Sequence, residues 1–447
     1  MPHPRLRVAV CGGGIGGLVL AVALSQAQDI DIDVYEAARE FAEVGAGVGV
    51  WPRPWKILKA LGLAQDLAQV TFVPPENELV VALDFRKGDE PHGGTTFGQM
   101  LSPGGLISFH RPDFQRIVLQ HLARSCRPHT SKRLVSYTQP SSASEPIQLF
   151  FQDGTTATCD LLVGADGVKS RVRACMIKEV ADDLRARGDS ITASKVMQSA
   201  APVWSGMMSY RTTAPSEALQ KRYPNHRLLK EPHVFFGKNT QMTAYPIARG
   251  TLVNAAAFTV RWDLENTYLD APWVVDAPRS EFSQEFADWE PEVQALFDCV
   301  KSTSRWAVHT VIPLRSFVHR RVILIGDAAS AMLPFQGSGA GQAIEDAYIL
   351  SALLTHPSTT VHSLERAAKI YDAIRRPAAQ RVAVLSREAA LLYTFNYPGL
   401  TLDRDGCREE QLQKIYKRIV NNWAWAWETT AQPDLERAIA MLEGRMQ

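Results

Sequence analysis

Short apolar runs that end in glycine punctuate the chain at three places and set its expected architecture. Val8 to Cys11 is the first, a run of the length of a buried parallel strand, followed at once by Gly12, Gly14 and Gly17. The small and apolar residues that follow predict a helix over about Gly16 to Gln26, and "IDIDVY" alternates as a second strand. Helical periodicity returns from about Pro52 to Leu61 and in "HRPDFQRIVLQHLAR". Thr71 to Gly105 is broken by prolines and glycines, which predicts short strands joined by turns, and Asp153-Gly154 predicts a hairpin after "IQLFFQ". The runs "WSGMMSYRTT", "HVFFGK", "QMTAYPIA" and "LVNAAAFTV", from Trp204 to Val260, predict an antiparallel sheet. Two further buried strands end at Gly164 and at Gly326-Asp327, the latter leading through a Pro-Gly-rich loop into a long helix from about Ser338.

The first of these junctions carries chemistry. In a G-x-G-x-x-G turn the first glycine permits the bend, the second lets a pyrophosphate approach the backbone, and the third lets helix and strand pack closely. The helix start offers unpaired N–H groups to the anion. Glu36 stands nineteen residues past Gly17, at the end of the second strand, where a carboxylate accepts ribose hydroxyls and repels a 2′-phosphate. A dinucleotide is expected, with FAD and NAD both open at this point.

Composition narrows the classes. With 447 residues and 46% hydrophobic content the chain can bury a large core in two or three structural units. A net charge of +1 and the absence of a basic run give no reason to expect nucleic acid or an anionic membrane surface, so a small-molecule partner is expected. Cys11, Cys126, Cys159, Cys175, Cys299 and Cys407 show no zinc spacing and read as reduced thiols; the histidines show no ligand spacing either, and no metal is expected. No G-x-S-x-G elbow supports a serine hydrolase. The N-terminus enters its first strand directly and no stretch of 18 apolar residues occurs, so a soluble cytoplasmic protein is expected. Trp423, Trp425 and Trp427 alternate in a helical tail and are expected to dock it onto the body, or onto a second subunit in a homodimer.

"CDLLVGADGVKSRVR" and "RVILIGDAASAMLPFQGSGAGQAIEDAYILSALL" separate FAD from NAD. Asp327, at the end of its strand, is placed to accept a ribityl hydroxyl, and the helix from Ser338 would aim its N-terminal dipole beyond the loop, where it would stabilise negative charge on a reduced flavin. Together with "GGGIGG" and Glu36, these stretches resemble the single-component FAD-dependent aromatic hydroxylases of the para-hydroxybenzoate hydroxylase fold, in their salicylate hydroxylase-like branch. The resemblance covers most of the chain, down to the tail "WAWAWETTAQPDLERA".

That resemblance implies an α/β protein with a Rossmann-like FAD-binding domain from residues 1–72, 100–185 and 305–380, an inserted, mainly antiparallel β-sheet substrate domain from 73–99 and 186–304, and a helical segment over 381–447. It implies non-covalent FAD at Gly12, Gly14, Gly17, Glu36, Asp166, Gly326, Asp327, Gly339 and Ala340, with Arg111 of "HRPDF" also contacting it. NADH or NADPH would reduce the flavin, dioxygen would add at C4a, and the hydroperoxide would pass its distal oxygen to an aromatic acid or phenol. Salicylate decarboxylated to catechol is the leading case; a larger phenol in a biosynthetic pathway, hydroxylated or dearomatised, and a non-catalytic flavin-binding regulator are the alternatives. Arg211 and Tyr245 resemble substrate-facing residues, a cation for the acidic group and a hydroxyl for the ring oxygen, and each also reads as an ordinary sheet residue. Pro334 and Phe335 fall in the loop at the flavin edge. Where relatives often carry histidine, this chain has Ser330 and Phe335, which takes the imidazoles from that edge and widens the substrate expectation beyond salicylate.

Overall fold

The computed structural model describes residues 4–41, 47–71, 73, 74, 76, 78–140, 142, 144–400, 402 and 408–446. Cys407, Pro75, Ser141 and most of the glycine-rich loop before Gly47 lie outside the described residues.

Six strands form the first sheet, in the spatial order Val318–His319, Val322–Leu324, Leu161–Gly164, Leu6–Cys11, Ile30–Tyr35 and Cys126–His129. All neighbours are parallel except the Val318–His319 edge. Leu161, Leu162, Val163, Val322, Ile323 and Leu324 are completely buried, as a parallel sheet covered by helices on both faces requires. The helices Ile15–Leu24 and Gly339–Thr355 pack on each other over this sheet.

The second sheet has eight strands, in the order Val274–Ala277, Thr303–Thr310, Val203–Pro215, Leu252–Val260, Thr240–Ile247, His233–Gly237, Leu79–Lys87 and Thr95–Pro103. It is antiparallel except where His233–Gly237 runs parallel to Leu79–Lys87, a pairing across some 150 residues that no local pattern reveals. The short strands expected over Thr71 to Gly105 are one pair of nine-residue strands here, because Pro91, Gly93 and Gly94 fall in the turn between them and Pro74, Gly104 and Gly105 outside them.

The tail Arg408–Leu442 is helical and folds back on the body. Trp423, 3% exposed, meets the Trp51 ring edge-on at 4.7 Å, and Trp427 lies 5.9 Å from the same ring. Residue 380 falls inside an unbroken helix, Leu364–Tyr393, which links the first sheet's layer to the tail. Among the described residues no helix is long and apolar enough to cross a membrane.

Candidate FAD and substrate site

A cavity of about 470 Å³ opens at the C-terminal ends of the parallel strands, lined by residues that include Gly12, Glu36, Asp166, Asp327, Gly339 and Arg111. Ligands of open parallel sheets bind at this end of the strands. Gly14, Gly326 and Ala340 also line it. Gly17 is set apart: a Cβ there would lie 2.1 Å from the Gly12 carbonyl oxygen, so this glycine permits close helix packing and does not line the cavity. Gly12 has φ +114°, and a Cβ on it would strike the Ala165 carbonyl at 2.2 Å. The first and second glycine junctions can meet only because that side chain is missing. The Ala165 N–H donates to the Cys11 carbonyl at 2.7 Å and seals the contact.

Glu36 and Asp327 stand at the ends of strands three spacings apart in the sheet, about 14 Å. One is therefore at each side of an elongated site. Glu36 accepts the Gly13 N–H at 2.8 Å and the Ala38 N–H at 2.7 Å, which orients its carboxylate toward the glycine turn. Asp327 is exposed to the cavity; desolvation by the protein crowded around it raises its pKa, against the pull of Arg111 and Arg173. A Cβ on Gly339 would meet nothing closer than Asp327 Oδ1 at 3.9 Å, so the start of the Gly339–Thr355 helix is open backbone beside that carboxylate. Glycine-lined walls, a carboxylate at each end and two helix starts fit a dinucleotide such as FAD.

Asp166 serves the backbone. Its carboxylate accepts the Arg171 N–H at 2.7 Å, the Val172 N–H at 3.1 Å and the Ser170 hydroxyl, closing the start of the Arg171–Ala186 helix. Burial raises its pKa and these hydrogen bonds oppose the shift. Arg173, in the same stretch, belongs to no motif. Fully buried, it donates to the Ala328 carbonyl at 3.0 Å and the Val168 carbonyl at 2.6 Å, so it ties the "ADG" turn to the "GDAA" turn. Burial lowers its pKa to about 10 while Asp166 and Asp327 hold it up. A basic residue one helical turn after a cap is the only sequence signal for it. Lys132 and Arg133, also on the cavity wall, come from a loop with no motif of its own.

Strand register brings Arg211 and Tyr245 together. Arg211 pairs with Ala256, Ala256 with Thr243, and Tyr245 lies two positions on, so both side chains leave the same face of the large sheet. Arg211 is half-buried with its guanidinium 4.7 Å above the Trp306 ring. Burial lowers its pKa, as does Arg111, and Tyr245 raises it. Burial pushes the Tyr245 hydroxyl up to about 12, which keeps it a neutral donor. A Cβ on Gly47 would lie 2.6 Å from that hydroxyl.

Phe335 is packed in the apolar core, 5% exposed, 4.9 Å from Phe258 and 6.0 Å from Tyr393. It does not line the cavity, and neither does Pro334. Phe258 shares the sheet face of Arg211 and Tyr245, so Phe335 joins the loop to that face. The loop is also held from behind: Trp51 donates to the Gln336 carbonyl at 3.0 Å and Gln336 donates to the Asn422 carbonyl at 3.0 Å.

Residues 5–386 match the family described as "FAD binding domain". The chain is 35% identical to the FAD-dependent monooxygenase str9 of Strobilurus tenacellus, over 99% of both chains. It is 33% identical to a salicylate hydroxylase of Pseudomonas putida, over 98% of this chain and 95% of that one. A solved salicylate hydroxylase substrate complex superimposes with a TM-score of 0.81 at 31% identity, covering 98% of each chain. With the motif-bearing junctions gathered around one cavity and this similarity running the length of the chain, the protein belongs to the FAD-binding monooxygenases of the salicylate hydroxylase and para-hydroxybenzoate hydroxylase-like family.

Proposed function

We propose that the protein hydroxylates a phenolic acid with NADH or NADPH and dioxygen, on the sheet face that carries Arg211 and Tyr245. The observation that supports this most is the register that sets these two residues on the face packed, through Phe258, against the Phe335 loop. Non-covalently bound FAD supplies the redox chemistry that activates dioxygen. Glu36 accepts ribose hydroxyls at one end of the cavity and Asp327 a ribityl hydroxyl at the other. The Gly339–Ala340 helix start, on the cavity wall, would offer its unpaired N–H groups to negative charge on a bound flavin. Arg211 pairs with the substrate's acidic group, and Tyr245 donates to its phenolic oxygen. In the leading case, salicylate, the donor gives two electrons, one oxygen atom enters the ring, the other leaves as water, and the carboxylate leaves as carbon dioxide to give catechol. The same assignment makes 1–72, 100–185 and 305–380 the FAD unit and 73–99 with 186–304 the substrate unit, the Leu364–Tyr393 helix leading on into the tail.

A second reading is a larger phenolic biosynthetic intermediate. It is favoured by the similarity, at 31% identity over 96% of this chain, to the 6-methylsalicylate 1-monooxygenase atA of Aspergillus terreus, whose named substrate is a salicylate enlarged by a ring substituent. Aerobic oxidation of NADH and of NADPH, measured with salicylate, ring-substituted salicylates and larger phenols, tests both. Stimulation by salicylate with catechol as product supports the leading case, and stimulation by larger phenols alone selects the second. Acceleration by none of them overturns the proposal.

A further inference from the structure

The helix Gly339–Thr355 contributes to the cavity twice. Its start forms part of the wall, and two turns along it carries Asp346, 1% exposed, whose Oδ2 accepts the Gly326 N–H at 2.9 Å. Gly326 is the residue before Asp327, with φ 58° and ψ −140°, a combination open in practice only to glycine. Its N–H therefore needs a fixed acceptor if the turn is to hold one shape. The other oxygen of Asp346 is locked in turn: Arg375, completely buried on the Leu364–Tyr393 helix, donates to Oδ1 through Nε at 2.8 Å. Arg375 also donates to Glu345 Oε2 at 2.9 Å and Gln342 Oε1 at 2.8 Å through its two other nitrogens, which holds its plane in place. One turn earlier on the same helix, the Tyr371 hydroxyl donates to the Leu324 carbonyl at 3.0 Å and holds the strand that leads into Gly326.

We infer that Asp346, clamped by Arg375, is a positioning residue: it fixes the Gly326 turn and thereby aims Asp327 at the ribityl hydroxyl. This rests on the proposed assignment of Asp327. Neither Asp346 nor Arg375 lines the cavity, so any effect they have on FAD passes through the backbone they hold. The carboxylate is needed because an amide at 346 presents one acceptor where two donors converge, leaving either the Gly326 N–H or the Arg375 Nε–H opposite an NH₂ group.

A double-mutant cycle on FAD affinity, measured by titrating apoprotein with FAD and following flavin fluorescence and visible circular dichroism, tests this. Asp346→Asn is expected to weaken FAD binding by about tenfold or more and to change the dichroism of the bound flavin, the scale of losing one hydrogen bond to a charged group. Asp327→Ala is expected to weaken it similarly. Once Asp327 is gone, adding Asp346→Asn should change the affinity by less than about twofold, because nothing remains to be aimed. Equal further loss in the Asp327→Ala background would overturn the positioning role and leave Asp346 a general stabiliser. Wild-type affinity in Asp327→Ala alone would overturn the assignment of Asp327, and this inference with it. Arg375→Lys, which keeps the charge but loses the fork, serves if Asp346→Asn does not fold; the same non-additivity is expected, and additivity overturns the inference equally.

Discussion

Replacing Gly12 by alanine probes the meeting of the two glycine junctions at its tightest point. The new Cβ would sit 2.2 Å from the Ala165 oxygen, 2.5 Å from the Ala165 carbonyl carbon and 2.8 Å from the Asp166 nitrogen, all backbone atoms that cannot swing aside. It would also hold φ +114°, a conformation that costs a non-glycine residue about 1–3 kcal/mol. Forcing a methyl group into packed backbone adds about 1–3 kcal/mol, for a total of about 2–6 kcal/mol. At about 2.1 cal/mol/K per residue over 447 residues, the unfolding entropy is about 0.9 kcal/mol/K, so Tm should fall by about 2–6 °C. FAD affinity should fall with it, because the displaced Ala165–Asp166 backbone is cavity wall. Gly62→Ala is the matched control: φ is +79°, but nothing lies within 4 Å of the added Cβ. Only the conformational cost of about 1 kcal/mol remains there, about 1 °C, with no change in FAD binding. Differential scanning calorimetry of both apoproteins, followed by FAD titration, reads the difference. If Gly12→Ala were no worse than Gly62→Ala in both measurements, close contact at Gly12 would not be what brings the two turns together.

Arg211→Met should leave the FAD spectrum intact while raising KM or uncoupling donor oxidation from hydroxylation, on the scale of about 2–5 kcal/mol for a buried anion that loses its cation, and Arg211→Lys should restore only part. A lower Tm and lost flavin with unchanged KM would make Arg211 a structural residue. The Tyr245 pKa lies above its ordinary value, so the neutral donor is complete below pH 10, and both its hydrogen bond and its favourable share of stability are lost only as pH rises through about 12. Tyr245→Phe should therefore lower kcat/KM by about 2- to 12-fold without reshaping its pH profile between pH 6 and 10; disappearance of a descending limb near pH 8 would contradict this. Trp423→Ala should cost about 3–5 kcal/mol, a Tm loss of about 3–5 °C, and should reduce flavin retention, because Trp51 then loses the ring that seats it against the Gln336 carbonyl. Unchanged flavin content in that variant would separate the tail from the loop.

What the sequence disclosed follows the range of the forces involved. The glycine turns, Glu36 and Asp327 were legible because a strand, a turn and a helix start are written within a few residues, and each is limited by local backbone sterics. Arg173 and Asp346 belong to no motif: their partners, Ala328 and Gly326, stand 155 and 20 residues away, and no local pattern marks either pairing. Phe335 shows the same effect in reverse. Its place in the loop puts it near the flavin by sequence, yet Phe258 and Tyr393 form an apolar slot that draws the ring into the core. The parallel pairing of His233–Gly237 with Leu79–Lys87 carried no sequence mark, since period-2 alternation is the same for parallel and antiparallel edges.

Turnover under isotopically labelled dioxygen bears most directly on a monooxygenase built around this cavity. With FAD-loaded protein, NADH or NADPH and the phenolic acid that best stimulates donor oxidation, mass spectrometry of the product should show one labelled oxygen atom on the ring, with product formed in step with donor consumed. Product carrying oxygen from water, or donor oxidation that yields only hydrogen peroxide with every aromatic tested, would contradict it.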